Sequence, residues 1–394
     1  MLIKLFLLVA GLLLLFAVEI LRVYFIMPFP GSQHANTIDL AYNIDNNIFW
    51  IRIIALLLIA YPVIQIFRND KNWKKILISI VLVFYAVIFF FFNFRFEADK
   101  MFYNPKNKNF ASAANSKIDS NKLVIGVVIN GEAKAYPIQI IGYHHQVRDT
   151  IGGTPVMVTY CTVCRTGRAF SPNVNGKDES FRLVGMDHFN AMFEDATTRS
   201  WWQQATGIAI AGPLKGTSLK EISSRQSTLA AWLRDYPNSA ILQRDTIFNK
   251  DYDDLADYDK GTVKSHLEKR DSASWKMKSW VVGVLDGLYA KAYDWNELVK
   301  NKIIPDSLPG LPLIIVLEKD TATFHVWNRV VHGTCLQFNK EISKETFTDA
   351  NTNSSWNMNG ECVEGILKGK KLQPIQSYQE FWHSWSTFHP NTTK

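Results

Sequence analysis

Two cysteines, Cys161 and Cys164, are the residues of this sequence that could most directly do chemistry. They stand at the end of an apolar stretch rich in β-branched residues, Pro155-Val-Met-Val-Thr-Tyr160. Such a stretch predicts a strand, which would deliver both sulfurs to one turn. A CxxC pair can bind a metal ion, cycle between dithiol and disulfide, or staple its turn.

Metal binding is the interpretation that we favour from the sequence. Two thiolates suit Zn, Cu or Fe, and the remaining ligands would come from imidazoles. His144 and His145 precede the strand, and a hairpin return would bring one of them beside the sulfurs. Because neighbouring residues of a strand point to opposite faces, only one of the two is expected to join the site. His188 or Met157 would complete the ligand shell.

Thiol redox chemistry is the second interpretation. An exported CxxC pair can exchange with other thiols, and Arg165 or Arg168 would lower its pKa. A thioredoxin-like motif, however, opens a helix. Here Cys164 leads into Arg165-Thr-Gly-Arg-Ala-Phe170, which predicts a turn and a further strand. A membrane-tethered thiol-disulfide oxidoreductase is therefore the alternative to a metal protein.

A structural disulfide is the third interpretation, and it would make the protein a non-catalytic binding or assembly module. Cys335 and Cys362 are expected to form such a disulfide, because disulfides persist outside the cytoplasm. A bond between Cys161 and Cys164 closes so small a loop that its entropic gain is modest. The sequence has no Ser-His-Asp arrangement, phosphate-binding glycine loop or c-type haem motif, so an enzyme and a binding protein both stay open.

The first quarter of the chain predicts three transmembrane helices, at about 4–27, 48–67 and 76–94. Basic residues are concentrated in the turn 68–75, whereas 28–47 contains no Lys or Arg. The positive-inside rule then places the N-terminus in the cytoplasm and residues 95–394 outside. We expect a protein of the bacterial inner membrane with a large periplasmic domain.

The distribution of charged residues gives predictions about the first span and about binding partners. Glu19 and Arg22 lie one helical turn apart in the first span, where we expect an intrahelical ion pair near the interface, with a site of their own as the alternative. The formal net charge of +7 is spread without a long basic run, so no nucleic-acid partner is expected. Membrane lipid is the expected partner, and three spans leave room for another membrane or periplasmic protein.

The soluble part contains an internal repeat. The segment Ile125–Tyr136 recurs as Val282–Tyr293, and both copies contain Ala-Lys-Ala-Tyr. Short strands punctuated by Gly, Asn and Pro predict a mainly β, α+β fold of two degenerate repeats after the membrane region. The second copy has Glu318 and Thr321 where the first has its cysteines, so one lobe alone carries the CxxC.

These patterns predict four segments. They are the transmembrane region 1–94, the first repeat lobe 95–248, an exposed linker or insertion 249–278, and the second lobe 279–394.

The chain resembles the DUF3179 family of uncharacterised bacterial proteins. The resemblance rests on four motifs: Ala133-Lys-Ala-Tyr-Pro137, His144 with Val147-Arg-Asp-Thr-Ile-Gly-Gly-Thr-Pro155, Val158-Thr-Tyr-Cys-Thr-Val-Cys164, and Ser200-Trp-Trp-Gln-Gln204 with Gly207 and Gly212. It implies an architecture and no established activity. The family usually shows Pro-Leu between the cysteines and Gly after them, where this chain has Thr162-Val163 and Arg165. Loss of that Gly weakens the likeness to a metal knuckle.

Overall fold

Three long apolar helices open the chain. The structure, a computed structural model, describes residues 2–343 and 345–394. The helices are α1 (Leu2–Tyr24), α2 (Ile38–Asn69) and α3 (Asn72–Phe94), and all three are long and apolar enough to cross a membrane. The prediction of three such helices is confirmed. α2 begins at Ile38 rather than near residue 48, because a polar segment rich in Asn and Asp continues the helix beyond its apolar part.

The remaining elements are short. The other helices are α4 (Ala98–Met101), α5 (Ile138–His144), α6 (Leu229–Asp235), α7 (Asn249–Asp254), α8 (Trp295–Asn301) and α9 (Trp382–Phe388). The first strands are β1 (Phe110–Ala111), β2 (Leu123–Ile129), β3 (Glu132–Pro137), β4 (Gln146–Ile151), β5 (Thr154–Cys161), β6 (Thr166–Phe170), β7 (Asn173–Val174), β8 (Lys177–Asp178), β9 (Phe181–Asp187), β10 (Asn190–Asp195), β11 (Trp201–Gln203), β12 (Ala209–Ala211), β13 (Glu221–Ile222), β14 (Ser224–Thr228) and β15 (Ala240–Leu242). The later strands are β16 (Trp280–Asp286), β17 (Tyr289–Asp294), β18 (Ile303–Leu308), β19 (Leu311–Leu317), β20 (Phe324–Asn328), β21 (Val330–Val331), β22 (Thr334–Cys335), β23 (Phe338–Ser343), β24 (Thr346–Asp349), β25 (Ser355–Asn357), β26 (Cys362–Glu364), β27 (Gln373–Pro374) and β28 (Ser377–Phe381).

The first of two compact units combines the three long apolar helices with a sheet. It contains the chain up to Tyr103 together with Glu179–Gln203 and Ile208–Ser218. Its sheet has the strand order β12-β11-β10-β9 and is antiparallel. The main-chain N–H of Met186 in β9 donates to the carbonyl oxygen of Ile26 at 2.6 Å. The sheet is thus hydrogen-bonded to the segment that follows α1.

The second unit holds the remaining sheets. In its first half, one sheet has the order β1-β15-β3-β2-β14 and another the order β13-β6-β5-β4. Its second half contains the sheets β17-β16-β28, β18-β19-β20-β27 and β23-β24-β25-β26. All neighbouring strands in these sheets are antiparallel except β15 and β3. The predicted mainly β fold behind three apolar helices is confirmed.

The same arrangement of a tryptophan over a glycine occurs in both halves of the second unit. A Cβ on Gly126 of β2 would collide with the Trp232 ring, and one on Gly283 of β16 would collide with the Trp385 ring. The order strand, strand, helix, strand, strand is also shared by β2 to β5 and β16 to β19. These correspondences support the internal repeat. The repeat and the predicted domain bounds both stay predictions.

Two tyrosines are exceptions to the exposure expected of the stretch 249–278. Tyr252 and Tyr258 are fully buried. The phenol of Tyr258 donates to the carbonyl oxygen of Thr162 at 2.8 Å. The stretch is rich in acidic and basic residues, so its composition alone does not indicate that these two tyrosines are buried.

Candidate functional site

A strand and a tight turn present the two cysteines, as the sequence predicts. β5 ends at Cys161, the turn runs through Cys164, and β6 begins at Thr166. Arg165 has a left-handed backbone (φ 55°), which lets the chain reverse immediately after the second cysteine. β4 and β5 form the expected hairpin. Both cysteines are fully buried.

The two thiols are neighbours. Burial raises the pKa of the Cys164 thiol well above its usual range, and the hydrogen bond and charge repulsion from Cys161 raise it further. Ser384 and Lys278 act in the opposite direction, Ser384 through a hydrogen bond to the thiol and Lys278 through its charge. At neutral pH the Cys164 thiol is therefore protonated.

Lys278 is the cation beside this pair. Its Nζ donates to the carbonyl oxygen of Val163 at 2.7 Å and lies 4.8 Å above the ring of Phe381. Burial lowers the pKa of Lys278 to about 8, against the raising effect of Cys164 and Cys161. The amine is thus charged at neutral pH and becomes neutral in mildly alkaline solution.

Residues from the C-terminal end of the chain cover the cysteines. The main-chain N–H of Phe381 donates to the carbonyl oxygen of Cys164 at 2.9 Å. Ser384 and His383 follow in α9. Burial and the charge of Lys278 lower the pKa of His383 to about 3, so this imidazole is neutral at physiological pH.

A buried ion pair lies next to the thiols. Glu380 Oε1 accepts hydrogen bonds from Arg168 Nη2 at 2.5 Å and from Thr166 Oγ1 at 2.7 Å. Ser384 donates to Glu380 Oε2 at 3.1 Å. The hydroxyl that contacts Cys164 is therefore oriented by a carboxylate, which in turn neutralises a fully buried arginine.

Arg165 is also buried, and it ties the turn to the second half of the unit. Its guanidinium lies 3.8 Å over the Trp280 ring, and its Nε donates to Gln379 Oε1 at 2.9 Å. Its other nitrogens donate to the carbonyl oxygens of Tyr258 and Asp259. Arg165 is thus a packing and hydrogen-bonding residue of the turn.

The predicted histidine ligands are placed differently from the expectation. His144 ends helix α5, and His145 follows with a left-handed backbone, so the two do not alternate along a strand. His144 Nε2 lies 2.6 Å from the Tyr252 hydroxyl, and His145 Nδ1 lies 3.1 Å from the carbonyl oxygen of Tyr143. Burial lowers the pKa of His145 to about 4.

The structure shows no metal centre in the part of the chain that it describes. Within residues 2–343 and 345–394, no group of three or more His, Cys, Asp or Glu side chains is arranged to hold a metal ion. His188 belongs to the first compact unit, where its Nδ1 lies 2.6 Å from Asp187 Oδ1. The metal centre stays a prediction.

The other two cysteines are not bonded to each other, which corrects the expected disulfide. Cys335 lies exposed in β22, whereas Cys362 is buried in β26, a strand of another sheet. The Cys362 thiol donates to the carbonyl oxygen of Glu364 at 3.3 Å.

Glu19 and Arg22 do not form the expected intrahelical pair. Both face the helix bundle, because residues three apart share one side of α1. Glu19 accepts two hydrogen bonds of 2.7 Å from Arg52 of α2. Arg22 pairs instead with Asp45 at 3.2 Å and Glu97 at 2.6 Å. Glu19 and Arg22 thus each form ion pairs with other segments of the first unit.

Sequence reasoning missed Lys278, Ser384 and Glu380. No local spacing signals them, because they come close to the cysteines only through the packing of distant segments. One sequence feature bears on these contacts. The internal repeat predicts two similar lobes in one chain, which can pack against each other. The indoles of Trp201 and Trp202, which belong to one of the family motifs, are buried.

Comparison with known proteins gives one match. A family model described as a protein of unknown function (DUF3179) matches residues 103–392, which includes the whole CxxC turn and its cover. No curated protein and no solved structure matches the chain.

Proposed function

Since the chain belongs to the DUF3179 family, whose description gives no function, we propose that it is a membrane-anchored protein whose Cys161 and Cys164 form a thiol–disulfide couple on the outer side of a bacterial inner membrane. The observation that carries the proposal is the hydrogen-bonded contact of the two buried thiols. Oxidation would join the sulfurs, release two protons, and pass two electrons to a disulfide of a second molecule, which becomes a dithiol.

The surroundings support an electron-storing role over rapid exchange. Both sulfurs are fully buried, and the raised pKa of Cys164 keeps the thiolate fraction low at neutral pH. Thiolates are the reactive form, so the reduced pair is protected from incidental oxidants. Lys278 supplies the positive charge that stabilises a transient thiolate.

A transition-metal site remains the second candidate. The same two neighbouring thiols would supply two soft ligands, which suit Cu(I) or Zn, with further ligands coming from a partner molecule. Such a protein would bind or deliver the metal rather than retain it.

One preparation tests both candidates. The full-length protein is purified from membranes without reductant or chelator, and samples are equilibrated in glutathione buffers of graded potential. The thiols are then alkylated in denaturant, and the peptide that contains both cysteines is weighed by mass spectrometry. We expect a two-electron transition with one midpoint.

The controls separate the outcomes. The Cys161→Ser variant should lose the transition, whereas Cys362→Ser should keep it, because Cys362 lies in another sheet. Elemental analysis of the same samples reports metal. A pair that stays reduced at every potential, together with stoichiometric metal that disappears in Cys161→Ser, would replace the redox proposal with the metal one.

A further inference from the structure

A cleft of about 570 Å³ lies within the second compact unit. Its walls come from the edge strand β14 and helix α6 on one side, and from β20 and the edge strand β27 on the other. Ligand sites in proteins typically measure roughly 300–1,000 Å³. The cleft is therefore large enough for a small molecule, and neither cysteine of the CxxC lines it.

Aromatic side chains contribute to both walls. On one side, the rings of Trp232 and Tyr236 lie 4.4 Å apart. On the other, His325 and Trp327 are stacked at 5.5 Å. Trp327 is 7% exposed, and its Nε1–H has no hydrogen-bond acceptor among the described residues. The walls thus offer apolar ring surface and a buried donor that a ligand oxygen would complement.

The charged residues of the lining are already paired. Arg225 Nη2 lies 2.6 Å from Asp235 Oδ2, and Lys371 Nζ lies 3.4 Å from Glu361 Oε2. Burial lowers the pKa of His325, so its imidazole is neutral at neutral pH. A charged ligand would have to compete with these pairs, whereas a neutral ligand leaves them intact.

Neutral polar groups complete the cleft. Ser223, Gln226 and Asn359 line it together with Gln376. The Gln376 amide bridges the walls, since its Nε2 donates to the carbonyl oxygen of Ser224 at 3.1 Å. Primary amides and hydroxyl groups both carry hydrogen-bond donors and acceptors. Neighbouring hydroxyl groups of a ligand carry the same combination.

We propose that this cleft binds a neutral saccharide. A sugar ring combines apolar C–H faces, which suit the aromatic walls, with hydroxyl groups, which suit the amides and the unpaired indole N–H. The absence of an unpaired charge in the described lining selects against ionised ligands. The proposal is independent of the thiol chemistry.

The test uses full-length protein in a detergent without a sugar headgroup. The probes are maltotetraose, cellotetraose and tetra-N-acetylchitotetraose. Their binding is measured by calorimetry and by tryptophan fluorescence. We expect at least one tetrasaccharide to bind with a Kd of about 1 mM or tighter and to change the fluorescence. An uncharged pentapeptide of serine and glutamine tests whether the two strand edges bind extended peptide instead.

Variants locate the binding. Asn359→Ala and Gln376→Ala each should weaken it by about tenfold, whereas Asn121→Ala, an exposed asparagine outside the cleft, should not. Trp327→Phe keeps a ring and removes the unpaired N–H, so it should weaken binding without unfolding the protein. Cys161→Ser should bind normally. Failure of all three tetrasaccharides, binding of the peptide alone, or binding that neither amide variant weakens would overturn the proposal.

Discussion

The main-chain N–H of Phe381 donates a 2.9 Å hydrogen bond to the carbonyl oxygen of Cys164. A turn from the first half of the soluble region is thereby fastened to a strand close to the end of the chain. Because α9 follows that strand directly, the bond also places Ser384 at the thiol. The environment of the cysteines is therefore set by residues that no local motif contains.

Lys278 should control how the rate of thiol oxidation varies with pH. Its charge lowers the pKa of Cys164, and it loses that charge as pH rises through about 8. The rate in the native protein should rise with pH and then flatten near pH 8, because the thiolate fraction grows while the cation disappears. In Lys278→Met the rate should be lower at pH 7 and should rise without the flattening. The oxidation rates of the native protein and of Lys278→Met are measured by adding glutathione disulfide and quenching samples at successive times. Lys278→Arg is the control that keeps the positive charge. Identical profiles in native protein and Lys278→Met would exclude this role.

The Glu380–Arg168 pair should be essential for stability. Glu380→Gln removes the nearer of the two carboxylates that neutralise the fully buried Arg168 guanidinium and leaves Glu221 at 3.7 Å. Breaking a buried ion pair costs about 3–5 kcal/mol in other proteins. Glu361→Gln removes one partner of an exposed pair and should change stability by less than about 1 kcal/mol. Thermal unfolding of the detergent-solubilised variants compares the two. Equal melting temperatures would show that the buried pair is replaceable.

His145 should make the protein sensitive to acid. Its pKa is about 4 in the folded state, below the ordinary value of 6.5, because burial disfavours the charged ring. The unfolded chain therefore takes up a proton first as pH falls below 6.5, and folding stability decreases until pH drops below about 4. The loss amounts to about 3 kcal/mol. His145→Gln should make this part of the curve of unfolding free energy against pH less steep, and the remaining slope comes from other buried histidines such as His383. Substitution of the exposed His266 should not reduce the slope.

Cys335 should report the membrane orientation. It is the exposed cysteine among the four. A membrane-impermeant maleimide should label it in intact spheroplasts if residues 95–394 lie outside the cytoplasm. Cys335→Ser should abolish the rapid labelling, because the remaining cysteines are buried. Labelling that appears only after lysis would reverse the proposed orientation.

Local patterns predicted the parts of this protein that depend on local physics. The three apolar spans and the strand that ends at Cys161 follow from composition and periodicity. The two histidines are expected to alternate along a strand, yet His144 ends the helix α5, in which four of the first five residues are buried. Tertiary packing overrides β propensity there. The roles of Lys278 and Ser384 depend on contacts between distant segments, which a single sequence does not encode in its spacing.

The charges inside the helix bundle lead to the last prediction. Glu19 is completely buried and accepts hydrogen bonds from Arg52, Tyr85 and Asn93, so its carboxylate is satisfied by the two other long apolar helices. Glu19→Leu would leave Arg52 without its counter-charge in an apolar bundle, and we expect a loss of about 3–5 kcal/mol. Reduced recovery of folded protein and a lower melting temperature would measure it.

A charge exchange makes this test specific. The double variant Glu19→Arg/Arg52→Glu restores opposite charges and should recover part of the loss, whereas Lys74→Gln, which breaks an exposed pair with Asp70, should have little effect. If Glu19→Leu were as stable as the native protein, the helices would be held by apolar packing alone. The expected result would instead mean that a simple hydrophobic anchor cannot replace these helices, because the buried charges link them to one another.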